Sequence, residues 1–176
     1  MTNIGMEYAR ALFELALEKG NTDDCLEYLQ TLKFLLKENP EYAEVLSSPV
    51  YSRREKYGLI DKAFAQAFPE EIVSFLKLFV ARGHIGEYDA FLAAFESIYE
   101  DYNGIIKVYA YTAFPLNEEE RTRLIAKLEE KYSRRVLLTE DVNSDLLGGI
   151  MLYANGTVTD ATLRGQLHEI EEVMNG

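Results

Sequence analysis

The chain has 176 residues, of which 48% are hydrophobic and 27% charged, so it can form one ordinary domain or two small ones and is not wholly disordered. Its 30 acidic and 18 basic side chains give a formal charge of −12. A field of that sign repels phosphate backbones and anionic lipid headgroups. The composition therefore argues against nucleic acid as a partner and against direct insertion into a membrane.

The cysteine count and the chain start indicate a cytoplasmic or peripheral protein. The single cysteine, Cys25, cannot form an internal disulfide, which fits a reducing compartment. The first residues have neither the basic and apolar segments of a signal peptide nor the Arg-rich character of a transit peptide. The densest apolar run, residues 72–81, is interrupted by Ser74 and Lys77 and is too short to span a bilayer.

Up to Gly104, apolar residues recur at spacings of three and four, which predicts five or six short amphipathic helices. Gly20 is expected to end the first helix. Pro40 suits the first position of the third helix, and Ser52 with Glu55 has the spacing of a capping box at the start of the fourth. These helices predict an antiparallel bundle.

The fifth predicted helix, between Pro69 and Gly83, is apolar around most of its circumference. A helix of this kind either lies at the centre of a bundle or presents one apolar face to a partner. Leu76 and Phe79 belong to this helix, so the sequence leaves both possibilities open for them.

After Gly104 the pattern changes to strands and helices in alternation. Strands are predicted over residues 105–111, 136–139, 149–154 and 157–159. Asn117 is expected to cap a helix, and Asn155-Gly156 is a strong hairpin turn. Asp160 is expected to cap a last helix whose inward residues are Leu163, Leu167, Ile170, Val173 and Met174. The fold class is therefore mainly α: a bundle of five or six helices over 1–104, then a small α+β domain over 105–176.

No residue set in the sequence indicates a catalytic, metal or cofactor site. His84 and His168 lack further ligands at helical spacing, and Cys25 has no basic neighbour that would activate it. Gly148-Gly149 is followed by apolar residues instead of the lysine and hydroxyl of a phosphate-binding loop. We therefore expect no enzyme activity and no bound cofactor.

Four segments resemble one protein family in order and spacing. Residues 8–16, which begin Tyr-Ala-Arg-Ala-Leu, resemble the opening helix of the ATP synthase delta subunit family. Residues 75–85 resemble its fifth helix and the following turn, and residues 147–150 its Gly-Gly strand entry. Residues 155–167 resemble its hairpin, Asp and Arg-x-x-Leu helix. One departure lies at residues 154–157, Ala-Asn-Gly-Thr, where the family often has a small residue and then Gly-Asp before the hairpin valine.

The resemblance is to the bacterial type of this subunit, which is related to the mitochondrial oligomycin-sensitivity-conferring subunit. It implies a six-helix bundle followed by a small α+β domain. It also implies a non-catalytic stator subunit, present once in a hetero-oligomeric F-type ATP synthase on the cytoplasmic side of the membrane. In the family, a groove between helices one and five receives the amphipathic N-terminal helix of an alpha subunit. The C-terminal domain meets the b subunits of the peripheral stalk.

The resemblance also assigns residues to these two contacts. For the alpha-subunit helix we expect six apolar residues on the first and fifth helices: Tyr8, Ala11, Leu12, Leu15, Leu76 and Phe79. For the b subunits we expect Asp160 and Arg164. Two alternatives remain at this point: an acidic helical adaptor that binds an amphipathic helix of some other partner, and a small enzyme with a site built from scattered residues.

Overall fold

The computed structural model describes residues 4–146, 148–154 and 156–162. Its helices are α1 (Ile4–Lys19), α2 (Thr22–Glu38), α3 (Pro40–Ser47), α4 (Arg53–Phe64), α5 (Glu70–Ala81), α6 (Tyr88–Tyr102) and α7 (Glu118–Tyr132), with a short 3-10 turn at Ile85–Glu87. Its strands are β1 (Ile105–Thr112), β2 (Arg135–Val142), β3 (Gly149–Ala154) and β4 (Thr157–Thr162). The protein is thus mainly helical with a small four-stranded sheet, as the sequence predicts.

The chain divides into two compact units, residues 1–99 and 100–176. The first unit contains α1 to α5 and most of α6, and the second contains the sheet and α7. The division falls inside α6, whereas the sequence places the domain boundary at Gly104, just after that helix.

Several helix ends follow the predicted local signals. Gly20 has φ 68°, the left-handed conformation that lets glycine close α1. At the start of α4, the Ser52 hydroxyl accepts a hydrogen bond from the Glu55 backbone N–H, and the Glu55 carboxylate accepts one from the Ser52 N–H. Pro40 occupies the first turn of α3, where its missing N–H is harmless.

The core of the helical unit is rich in aromatic side chains. Phe79, Phe91 and Phe95 are completely buried, together with leucines and isoleucines from α2 to α5. Helix α1 approaches α6 closely at Gly5, where an added Cβ atom would lie 3.2 Å from the Phe91 backbone nitrogen. Gly5 therefore lets the two helix backbones pack nearer than any larger residue would allow.

The sheet has strand order β2-β1-β3-β4. Strand β1 pairs in parallel with β2 through the helical crossover α7, and antiparallel with β3, which pairs antiparallel with β4. Leu128 of α7 packs on Ile106, Val108, Val136 and Ala154, which form the small core of this unit. We call the opposite side of the sheet the outer face.

The structure corrects the predicted ends of two strands and the role of Asp160. Strand β2 continues past residue 139 to Val142, because it pairs along the whole of β1. Strand β4 continues to Thr162, because it pairs along the whole of β3. Asp160 therefore lies within β4, opposite Met151, and is not a helix cap. The predicted last helix, with Arg164, lies outside the described residues.

Candidate docking surfaces

Helices α1 and α5 lie side by side in antiparallel directions. Near the start of α1, the Tyr8 ring lies 5.3 Å from the Phe79 ring and 5.7 Å from the His84 ring, at the end of α5. At the other end, the Lys19 Nζ atom lies 3.2 Å from the Glu71 Oε1 atom, at the start of α5. The two helices therefore form a continuous strip of surface between these contacts.

Beneath this strip lies a layer of stacked aromatic rings. The Phe75 ring centroid is 4.6 Å from that of Phe91, and the Phe79 centroid is 5.3 Å from it. Tyr8 closes the layer with an edge-on contact to Phe75 at 6.3 Å. Such ring pairs add about 0.5–1.5 kcal/mol beyond their buried area, so they stabilise the floor of the strip.

Three of the six residues predicted for this site lie below the surface. Leu12, Leu76 and Phe79 are buried in the core of the unit. Leu76 and Phe79 are covered because their side of α5 packs against the neighbouring helices, and Leu12 lies on the buried side of α1. These three side chains shape the floor of the strip and are not exposed on it.

The other three predicted residues reach the surface, and the structure adds a fourth. Ala11 and Leu15 are exposed, and Tyr8 is half-buried. Leu78 of α5 is 46% exposed and was not among the residues predicted from the sequence. It lies seven positions after Glu71, which contacts α1, and therefore on the same side of α5. The sequence alone gives no signal for it, because the apolar residues of α5 surround the helix. We call Tyr8, Ala11, Leu15 and Leu78 the α1/α5 surface.

A cavity of about 350 Å³ lies at one end of the α1/α5 surface. It is lined by Ile4, Glu7, Tyr8, Ala11, Arg82 and His84. His84 is held there by its ring contacts and by a 3.3 Å contact between its Nδ1 atom and the Glu87 Oε1 atom. The cavity gives this end of the surface a mixed apolar and charged character.

The opposite end of the α1/α5 surface is polar. Glu71 contacts Lys19 and also accepts a hydrogen bond from the Asn21 Nδ2 atom at 3.3 Å. The pKa of Glu71 is lowered, first by a hydrogen bond from its own backbone N–H and then by Lys19 and Asn21, against the opposing effect of burial. Glu71 therefore stays charged at neutral pH and keeps the Lys19 side chain along α5.

Cys25 lies behind this polar end, in the core. Burial raises the pKa of its thiol to about 12, with a smaller effect from the Glu71 charge. A thiol in this state is a weak nucleophile, so Cys25 packs between helices as a small apolar residue.

The structure places only one of the two residues predicted for the stalk contact. Asp160 is exposed on the outer face of the sheet, whereas Arg164 lies outside the described residues. Within residues 4–146, 148–154 and 156–162, no group of three or more His, Cys, Asp or Glu side chains could hold a metal ion. In the part of the chain that the structure describes, no helix combines the length and the apolarity needed to cross a membrane.

Comparisons with known proteins agree with this architecture. The family model described as ATP synthase delta (OSCP) subunit matches residues 4–174. A protein of Anaeromyxobacter sp. (strain Fw109-5) named ATP synthase subunit delta is 33% identical over 171 residues, which cover 97% of this chain and 96% of the relative. One of Clostridium kluyveri with the same name is 29% identical over 167 residues, 95% of this chain and 92% of the relative.

Among solved structures, a chain of the Toxoplasma gondii mitochondrial ATP synthase hexamer superposes with a TM-score of 0.70. The two are 19% identical, and the match covers 98% of each chain. At this identity the likeness concerns the fold. It extends over both units of the present chain.

By its fold, this is a mainly helical protein of two compact units, the second built on a four-stranded sheet. The chain belongs to the ATP synthase delta (OSCP) subunit family. As a member of that family it is a non-catalytic component of the peripheral stalk of an ATP synthase.

Proposed function

We propose that this subunit links the catalytic alpha/beta head of an F-type ATP synthase to the b subunits, so that the head does not turn with the rotor. The helical unit is a six-helix bundle that receives the N-terminal helix of one alpha subunit. The second unit contacts the b subunits, with a division of function near Gly104. The complex holds one copy of the subunit on the cytoplasmic side of the membrane.

The α1/α5 surface is the observation that carries this proposal. It exposes Ala11 and Leu15 on α1 and Leu78 on the antiparallel helix α5, above a layer of packed aromatic rings. An amphipathic helix buries its apolar stripe in a groove of this kind. The small side chain of Ala11 allows the partner backbone to approach closely, and the flanking Lys19–Glu71 pair supplies a polar edge.

The proposed work of the subunit is mechanical and requires two contacts at the same time. One contact holds the head and the other holds the stalk, and the torque on the head passes through the chain between them. Neither contact needs a cofactor or a reacting group. Asp160, with Arg164, belongs to the second contact in this proposal.

A pair of leucines on α1 offers a matched test of the first contact. Leu15 is 38% exposed and Leu17 is 41% exposed, but residues two positions apart point to different sides of a helix. A peptide with the N-terminal sequence of the alpha subunit from the same complex is titrated into the full chain by calorimetry. Leu15→Arg should weaken binding about tenfold or more, because it places a charge in a desolvated contact.

Leu17→Arg is the control and should bind the peptide as the unaltered chain does. Circular dichroism of both variants should show unchanged helicity, since both side chains are exposed. Equal binding by the two variants would move the alpha-subunit contact away from the α1/α5 surface. Binding lost by Leu17→Arg alone would place it on the other side of α1.

A further inference from the structure

The second unit contains a cavity of about 420 Å³ between its sheet and the first turns of α7. Its walls are mostly apolar and include Leu116, Leu124 and Ile150. Gly149, the second glycine of the Gly-Gly pair noted in the sequence, also lines it and has φ 82°, a conformation that favours glycine. The volume falls in the range of about 300–1,000 Å³ that is typical of small-ligand sites.

A buried hydroxyl group without a partner belongs to the wall of this cavity. Thr112 lines the cavity at the end of β1 and is 2% exposed. It alternates with Ile106 and Val108 along the strand and therefore lies on the α7 side of the sheet. Its Oγ1 atom has no hydrogen-bond partner among the described residues. A group that enters the cavity and bonds to this hydroxyl removes an unfavourable burial.

The charge around the cavity is negative. Glu120 lines it, and the Glu140 Oε1 atom accepts a hydrogen bond of 2.7 Å from the backbone N–H of Leu116, another lining residue. Glu118 and Glu119 belong to the same first turn of α7 as Glu120. None of the described residues that line the cavity is Lys, Arg or His. A cation is therefore attracted to it.

Two hydrogen-bonded contacts hold the loop between β1 and α7 beside the cavity. One is the bond from Leu116 to Glu140. In the other, the Asn117 N–H donates to the Glu120 Oε2 atom at 3.0 Å, and the Asn117 Oδ1 atom accepts from the Glu120 N–H at 2.9 Å. The Glu120 carboxylate is thus fixed next to the loop. Phe114 lies in this loop, lines the cavity and is 76% exposed, so its ring is accessible to a cation.

We propose that this cavity binds the guanidinium group of an arginine side chain supplied by a partner protein. The stem of an arginine is apolar and suits the cavity walls. Its guanidinium group has several N–H donors, which bond to the Thr112 hydroxyl and the Glu120 carboxylate, and its plane stacks on Phe114. A lysine ammonium is more strongly hydrated and cannot stack, so the site selects arginine. The proposed function assigns no residue of this cavity.

The test uses the full chain and, as the probe, arginine blocked at both its amino and carboxyl groups. The backbone amide NMR signals of the chain are followed during the titration. The signals of Thr112, Ala113 and Gly149 should shift and saturate, with a dissociation constant in the millimolar range expected for a single side chain. Blocked citrulline has almost the same shape without the charge and should bind about tenfold more weakly or worse.

Two glutamates in the first turn of α7 provide matched variants. Glutamine also forms a capping box, so Glu120→Gln removes a charge from the cavity and keeps the start of the helix. Glu120→Gln should weaken binding of blocked arginine about threefold or more. Glu119→Gln is the control, because Glu119 pairs with Arg123 and does not line the cavity. Its affinity should stay within about twofold of that of the unaltered chain.

The hydroxyl and the ring are tested separately. Thr112→Val keeps the β-branched shape of the side chain and removes the hydroxyl, and Phe114→Ala removes an exposed ring. Each should weaken binding of blocked arginine about twofold or more, because each removes one of the proposed contacts.

Four results would overturn the inference. The absence of saturable shifts with blocked arginine would mean that the cavity holds water only. Equal binding of blocked citrulline would exclude recognition of the charge, and equal affinities of Glu120→Gln and Glu119→Gln would place the binding elsewhere. Tighter binding of the probe to Arg164→Gln would show that an arginine of the chain itself competes for the cavity, in place of one from a partner.

Discussion

The Lys19 ammonium lies 3.2 Å from the Glu71 carboxylate and connects the end of α1 to the start of α5. The pair is only partly exposed on the Glu71 side, where 19% of the side chain is accessible. It lies at the polar end of the α1/α5 surface, opposite the contact between Tyr8 and Phe79. Together, the two contacts set the relative direction of the helices at both ends of that surface.

Glu71→Gln should lower the free energy of unfolding at neutral pH by about 1 kcal/mol or less, since solvent screens the exposed Lys19 partner. The pKa of Glu71 is lowered in the folded chain. Its contribution is therefore present above the unfolded pKa of about 4.3 and is lost as the pH falls through the folded value. Urea unfolding of both chains should show a difference at pH 7 that decreases as the pH falls below about 4.3. A difference that grows in acid would contradict this assignment.

Leu76 and Leu78 should respond differently to truncation, although both belong to α5. Leu76 is completely buried and Leu78 is 46% exposed. Leu76→Ala should cost about 2–5 kcal/mol of stability because it leaves a cavity, whereas Leu78→Ala should change stability by about 0.5 kcal/mol or less. Denaturant unfolding measures both values.

A charge at Leu78 should affect binding of the alpha-subunit peptide although truncation of Leu78 hardly changes stability. Leu78→Lys should weaken binding of the alpha-subunit peptide while the chain keeps its helicity, because the substitution alters the α1/α5 surface alone. Phe34→Lys, which changes an exposed residue of α2, is the control and should leave binding unchanged. Equal peptide affinity in all three chains would exclude Leu78 from the contact.

The different burial of Leu76 and Leu78 could not be predicted from the sequence, although several helix ends could. Helix ends such as Gly20 and Ser52 were predictable, because capping depends on residues within one turn. In a helix that is apolar all round, spacing alone does not separate core from surface. Burial of Leu76 depends on which helices enclose α5, and the sequence pattern carries no information about that choice.

The ends of β2 and β4 also depend on contacts with residues distant in the sequence. Glu140 and Asp141 look unlike a buried strand, yet they pair with Ala110 and Tyr111 because β2 follows the full length of β1. Asp160 has the composition of a helix cap, but it pairs with Met151 in β4. Strand length is set by the partner strand, and local residue preference is too weak to oppose it.

Cys25 should react very slowly with a thiol reagent in the folded chain. Burial raises the pKa of its thiol from 9.0 to about 12, which lowers the thiolate fraction at pH 8 by about a thousandfold. Reaction with a disulfide reagent should therefore be limited by unfolding, and it should become fast in urea. Rapid labelling under native conditions would show that Cys25 is accessible, in conflict with its position in the core.

A chain of residues 1–104 should fold without the rest of the protein and bind the alpha-subunit peptide. It keeps α1 to α6 complete, and the core residues of the helical unit all lie before residue 99. About 100 residues can bury a sufficient core for independent folding. Circular dichroism should show helix content, and calorimetry should give an affinity within about threefold of the full chain, a difference below 1 kcal/mol.

The same shortened chain should not bind the b subunits, because it lacks the sheet and α7 of the second unit, to which the proposed function assigns that contact. The measurement is a pull-down of both partners with residues 1–104 and with the full chain, and Leu15→Arg in the full chain serves as the reciprocal control. Leu15→Arg should retain the stalk and lose the alpha peptide. If residues 1–104 captured the stalk as well as the full chain does, the two contacts would not be divided between the two units.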